Sequence, residues 1–380
     1  KKEVDKGVAF LLLFFIGFSI VQIEFARSSW NPNLLPVFSF FTLYFLYRLI
    51  KTNNLLFAVL FGSFFSFSIQ LHYLTLLMIV PISLVVFHEL IFLKNRLHFI
   101  NLLFVSLLAF LFFLSPLILF DIKNDFLNTR NFINFFESPT LKSESSYLSR
   151  FLDTNKSFYS HIFKLEMNQY LAVLITAIIT LYFGLKGFLK KNLFLKLHFV
   201  AFLSFIFVFS YITSFRFPHY FTPIYYSFFL VFSYVLLDAA RKQKPLYIAF
   251  VIILIVFLFG NFRQYYFFKN RGSNQIGRAK AIAESILKHN PVTPYQIVPE
   301  PYTETDGHVR YFLEIMGKRP LSEESPEQAE ELYIICHVDD CSEVAHPQWQ
   351  IASFKKAKIA TIWTVPSIDK VKIYKLVHER

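Results

Sequence analysis

The sequence predicts a mainly α-helical, polytopic membrane bundle carrying a small α/β domain at its C-terminal end. Three observations predict it: 55% of the 380 residues are hydrophobic, the 51 phenylalanines gather in long apolar runs, and that bias fades after Phe262. A water-soluble domain fills its core with fewer apolar residues than this, so the excess has to face lipid. The mean hydropathy of +0.46 agrees.

A helix crossing a bilayer needs about 20 mostly apolar residues, because its backbone polar groups must be paired within the segment. Apolar runs occur at residues 7–26, 34–50, 55–72, 73–92, 99–120, 169–189, 197–215, 219–237 and 246–262. By that length they make roughly nine crossings. The stretch 55–92 is too long for one tilted helix, and Gln70-Leu71-His72-Tyr73 supplies the polar break that divides it.

Orientation follows from the short loops. Lys1, Lys2 and Lys6, Arg48 and Lys51, Lys94 and Arg96, Lys186, Lys190, Lys191 and Lys196, then Arg241, Lys242 and Lys244 alternate with loops poorer in basic residues. The basic set is therefore read as cytoplasmic. The formal net charge of +12 is carried largely by those loops, which argues against nucleic acid as a partner. The opposite, extracytoplasmic face receives residues 24–33, the turn at 72–73, a long loop at 121–168, the turn at 216–223 and everything after 262.

Residues 1–262 thus read as a transmembrane domain and 263–380 as a soluble extracytoplasmic one. In the latter, amphipathic helices are expected near 276–287 and 308–316, and strands at 332–337, 360–365 and 371–377. The proline-rich stretches 290–294 and 299–302 read as connections. No internal repeat is visible. Cys336-His337, Cys341 and His346 hold zinc donors, but their spacing matches none of the usual paired patterns, so a local disulfide or two free thiols fits better.

Ionisable groups at membrane depth are expensive, which makes the external segments candidate sites. Glu24 and Arg27 put an acid and a base where one helix ends, followed by Asn31 and Asn33, read as lining a substrate cavity. The same acid and base, at i,i+3, also read as an interfacial salt bridge, with Pro32 breaking the chain before re-entry. His72 beside Tyr73 is placed to bond an anionic ligand or to satisfy a neighbouring carbonyl. Asp121 and Asp125 share a face if their segment is helical, a pair able to hold a divalent cation or divide acid and base work. Their plain alternative is a solvated helix end. Arg216, His219 and Tyr220 beside Pro218 and Pro223 are suited to a phosphate. An aromatic belt explains the tyrosines but not an Arg and a His at one depth.

In their order and common sidedness these motifs resemble the GT-C glycosyltransferases, and are similar to the protein O-mannosyltransferase and lipid A aminoarabinose transferase families over about residues 7–262. Phe25-Ala26-Arg27 with Trp30-Asn31-Pro32-Asn33-Leu34-Leu35 resembles a stretch with an Arg, an Asp-Pro pair and then an apolar helix; Asn31 stands where an Asp is common. Gln70-Leu71-His72-Tyr73-Leu74-Thr75 looks like the family's short external turn before a helix ending in Pro, here Pro81, and residues 216–223 resemble its later Arg/His-Tyr-Pro turn.

The resemblance implies a multi-pass plasma (inner) membrane enzyme of the cell envelope that transfers a sugar from a polyprenyl-phosphate donor to a lipid, glycan or protein at the external leaflet. It implies donor-phosphate roles for Arg27, His72, Tyr73, Arg216, His219 and Tyr220, and roles in acceptor activation, metal binding or orientation for Glu24, Asp121 and Asp125. No cofactor is implied beyond a divalent cation at the carboxylates. The family's principal Asp base lies in a first external loop, which would precede Lys1. Two other classes fit the same residues: a transporter or flippase for an anionic lipid, which inverted hydropathy repeats would favour, and a non-catalytic membrane assembly protein.

Overall fold

The structure, a computed structural model, describes residues 4–92, 95–137, 146–186, 192–212, 216–269, 272, 274–301, 304–322, 325–338, 341, 349–354, 356–366, 368 and 371–379, without the side chains of 135–137, 186, 212 and 349. Lys1, Lys2, Lys94, Lys190, Lys191, Phe215 and His346 lie outside the described residues, as does the middle of the expected external loop at 138–145. The chain divides into two units, Lys1–Tyr266 and Phe267–Arg380.

Over its described residues, every one of the nine apolar runs is largely helical. The elements are α1 (Lys6–Phe18), α2 (Ile20–Arg27), α3 (Leu35–Thr52), α4 (Leu55–Leu71), α5 (Ile79–Phe92), α6 (Arg96–Lys123), α7 (Leu127–Glu137), α8 (Tyr147–Phe163), α9 (Gln169–Lys186), α10 (Leu193–Ile212), α11 (Tyr225–Ala240) and α12 (Lys244–Phe262). Short 3-10 turns at Asn31–Asn33, Tyr73–Met78 and Pro218–Ile224 lead into α3, α5 and α11. Among the described residues five helices are long and apolar enough to cross a membrane, and a sixth span is made if α1 and α2, bent by 61°, count together. That is fewer than nine, because α4 and the apolar part of α9 fall short of full spanning length and α3 is not among the five. The chain is a multi-pass membrane protein.

Local chemistry sets the turns. Asn53 ends α3 in the left-handed region at φ 47°, where Asn is tolerated, and the side chain of Asn54 then caps α4 by accepting from the Leu56 N–H at 2.8 Å. α4 lies between α3 and α6. It approaches α6 closely at Gly62, where any Cβ would collide with the Ser106 carbonyl; small residues permit such approach between membrane helices. The span Pro218–Ala240 is 72% buried and forms the bundle's centre, whereas α6 and α12 are each 11% buried, leaving apolar faces for lipid.

The expected long loop at 121–168 is a correction. α6 runs on to Lys123, and α7 and α8 occupy most of the rest. Both are amphipathic: α8 buries Thr154, Asn155, Phe158, Tyr159 and Ile162 and exposes Asp153 and Lys156. Their polar faces lowered the average hydropathy of the segment, which is why it read as a loop.

The C-terminal unit holds α13 (Gln275–Leu287), β1 (Tyr295–Glu300), α14 (Gly307–Ile315), β2 (Glu331–Cys336), α15 (Trp349–Ser353), β3 (Ala357–Thr364) and β4 (Lys372–His378). The sheet order is β1-β2-β4-β3, with β1 parallel to β2 and the other pairs antiparallel. Alternation along β2 decides the two faces: Tyr333 and Ile335 pack against Ile282, Ile286 and Leu313 of α13 and α14, while Leu332, Ile334 and Cys336 pack with Ile351 and Phe354. Strand β1, not expected from the sequence, lies between the two proline-rich stretches and takes in Pro299 and Glu300 of the second. Pro299 is tolerated there because β1 is an edge strand, where a missing N–H breaks no central ladder. Cys336 and Cys341 are joined in a disulfide.

Candidate functional site

The two turns that begin membrane spans with a His-Tyr pair come together. His72 and Tyr73 open the turn into α5, and His219 and Tyr220 sit in the turn into α11. The His72 ring lies 5.4 Å from that of His219 and 5.5 Å from that of Tyr220. Each pair is followed by a buried Thr, so that His-Tyr-x-Thr occurs at 72–75 and again at 219–222. Thr75 and Thr222 donate to the carbonyls of Ser68 and His219, at 3.0 and 2.6 Å. The first bond ties its turn back to the end of α4, and the second closes its turn on itself.

The pairs line a cleft of about 360 Å³ with Leu74, and its other wall is Asn128, Asn131 and Phe132 of α7. The Phe132 and Tyr73 rings are 6.1 Å apart. The Leu74 N–H donates to His72 Nδ1 at 3.2 Å, which in the neutral imidazole leaves the proton on Nε2 as a donor. Trp30 packs edge-on against His219 at 4.6 Å, joining the Asn31–Asn33 turn to the cleft's rim.

Of the residues expected at the site, His72, Tyr73, His219 and Tyr220 line this one cleft. Asp121 is not a lining residue; it acts on the cleft through its charge, felt at Tyr73, and through α7. Its carboxylate accepts from the backbone N–H groups of Asn128, at 2.7 Å, and Thr129, and from the Thr129 hydroxyl, and so caps α7. Asp125 does not share a helical face with it: α6 ends at Lys123 and Asp125 stands in the following turn at φ 52°. Glu24 pairs with Lys164 at 3.2 Å, a partner far along the chain instead of Arg27 at i,i+3. Arg27 is exposed at the end of α2, Asn31 is exposed, and the Asn33 amide donates to the Ser28 carbonyl and hydroxyl, each at 2.8 Å.

Arg216 turns away from the cleft, toward α8. Its guanidinium donates to Thr154 Oγ1 at 2.8 Å and to the Arg150 carbonyl at 3.2 Å, while its own carbonyl accepts from His161 Nε2 at 2.9 Å. Burial holds the His161 imidazole below its ordinary pKa, and this bond to the Arg216 carbonyl works the other way. Among the described residues no group of three or more His, Cys, Asp or Glu is placed to hold a metal ion.

Sequence reasoning missed Asn128, Asn131 and Phe132. The signal was present as an i, i+3, i+4 stripe, but it lay inside a segment read as a loop. It also missed His198, buried in the membrane unit, where its Nδ1 meets the Ser227 hydroxyl at 2.9 Å and its ring stacks on Phe40 at 4.7 Å. One His inside an apolar run carries no periodic signal.

No protein-family model, curated protein or solved structure matches this chain, so the geometry of the cleft and the order of the motifs are what bear on its function.

Proposed function

We propose that the protein is an integral-membrane glycosyltransferase that takes a sugar from a polyprenyl-phosphate carrier and passes it to an acceptor at the extracytoplasmic face. The observation that supports this most is the meeting of His72-Tyr73 and His219-Tyr220 in one cleft at the ends of two membrane spans. Imidazole N–H and phenol O–H groups there are donors for a lipid phosphate, and donors aimed at a departing phosphate lower the barrier to transfer. The lipid-facing surface of α6, which leads directly into α7, suits a substrate that approaches sideways from the bilayer.

The Cys336–Cys341 disulfide supports an extracytoplasmic side for the C-terminal unit, since disulfides persist in oxidising compartments. The basic turn Arg241, Lys242 and Lys244, at the other end of α12, agrees with it. In this reading Arg216 is a positioning residue that ties the second His-Tyr turn to α8, and Asp121 positions α7.

The test supplies native membranes containing the full-length protein with a radiolabelled polyprenyl-phosphate hexose. Transfer is expected to fall about tenfold or more in His72→Ala and in the double variant His72→Ala/Tyr220→Phe, as for loss of charge-assisted contacts to phosphate. Vesicles that move polyprenyl phosphate between leaflets without any sugar transfer would replace this reading with transport.

A further inference from the structure

The α7 wall of the cleft differs in chemistry from the His-Tyr wall facing it. Asn128 and Asn131 present side-chain amides, and no other described residue engages either amide. Phe132 sits beside them with Tyr73 at 6.1 Å, the two rings inclined by 59°. Amides both donate and accept, as sugar hydroxyls do, and an aromatic face takes the apolar C–H side of a pyranose ring. Among the described lining residues there is no carboxylate, Lys or Arg. Asp121 stands near enough for its charge to act on the Tyr73 hydroxyl, but it is not a lining residue, and its oxygens already accept from the N-terminus of α7 and from Thr129, so it offers a ligand no direct carboxylate contact.

We infer that Asn128, Asn131 and Phe132 form the sugar-recognising wall of the cleft, and that the sugar they select carries no charge. The inference rests on the lipid-carrier reading above and adds to it where the sugar lies and of what class it is. An amino sugar is an ammonium ion at neutral pH, and entering this cleft it would shed water without meeting a carboxylate, an unfavourable exchange. A uronic acid would place a second anion beside the carrier's phosphate with no added Arg or Lys. A neutral hexose incurs neither cost and finds two amides for its hydroxyls.

A site built to bond hydroxyls discriminates through polar groups left unpaired when the wrong ligand sits there. The asparagines are therefore specificity-determining residues, and removing them should affect the sugar without affecting the phosphate. Asp121 supports the wall from behind by holding the first turn of α7.

The experiment measures binding to the full-length protein in lipid nanodiscs of three probes: bare polyprenyl phosphate, the same lipid bearing a neutral hexose, and the same lipid bearing an amino sugar. The neutral glycolipid is expected to bind about tenfold tighter than the bare lipid, the amino-sugar lipid no tighter than the bare one. Asn128→Ala/Asn131→Ala should lose the hexose increment while binding bare lipid as before, so bare-lipid binding also reports that the variant is folded. Asn131→Asp, which keeps size and adds a carboxylate, should shift preference toward the amino sugar. Retention of the full increment in the double variant, or equal binding of both glycolipids by the native protein, would overturn the inference while leaving the carrier reading intact. Failure of the native protein to bind bare or glycosylated lipid would remove both.

Discussion

Glu331 offers a stability test in the C-terminal unit that does not depend on function. Its carboxylate accepts from Lys375 Nζ at 2.6 Å, from the Tyr333 hydroxyl at 2.6 Å and from the Val292 N–H at 3.1 Å, with side-chain exposures of 8% for Glu331 and 16% for Lys375. Burial works against the charged form, but the hydrogen bonds from Lys375, Tyr333 and Val292 together outweigh it and hold the carboxyl below its ordinary value of 4.5. Glu331→Gln preserves shape and breaks one charge-assisted bond, worth roughly 1.5–3 kcal/mol. Because the Lys375 ammonium keeps some contact with water and can rehydrate, a value of about 2 kcal/mol is expected. Amide hydrogen exchange of the whole protein in nanodiscs reads it, since a loss of that size speeds exchange of the central β2 amides about 30-fold when exchange follows opening of the unit.

The pH dependence has a definite sign. A carboxyl whose folded-state pKa is depressed contributes stability that is fully present above its unfolded value, near 4.5, and lost as pH falls through the lower folded value. The native protein and Glu331→Gln should therefore differ at neutral pH and converge in acid below that window. Equal β2 exchange at neutral pH, or a difference undiminished in acid, would refute the assignment.

Three further outcomes are expected. A cysteine introduced at the exposed Glu327 should react with a membrane-impermeant maleimide in intact cells; labelling only after the cytoplasmic face is opened would reverse the topology. Arg216→Ala should lower the thermal midpoint of the detergent-solubilised protein, by the equivalent of about 2 kcal/mol for bonds to Thr154 and Arg150, and Arg216→Lys should not restore it because an ammonium lacks the fork that reaches both. An unchanged midpoint would remove the positioning role. Gly62→Leu should prevent α4 from closing on α6 and reduce the yield of folded protein, whereas the same change at Gly17, which has open space around it, should be tolerated. Comparable yields from both variants would refute the close approach at Ser106.

Hydropathy and period are local properties, so the sequence by itself determined that the chain is a membrane protein, where its apolar helices lie, and that a mixed α/β unit follows them. Its reading of β2, β3 and β4 rests on runs of β-branched and aromatic residues such as Leu332-Tyr333-Ile334-Ile335, which need no knowledge of neighbours. β1 escaped because Pro299 argues against a strand until the sheet order makes that strand an edge. The His-Tyr pairs were legible as polar residues at membrane ends. Tertiary structure decided which polar groups meet. Arg216 and His219 are three residues apart, yet the turn sends one to α8 and the other to the cleft, and Asp121 and Asp125 part company because α6 ends between them. Side-chain direction depends on where a helix stops and what packs beside it, and those contacts come from segments tens to hundreds of residues away in the chain.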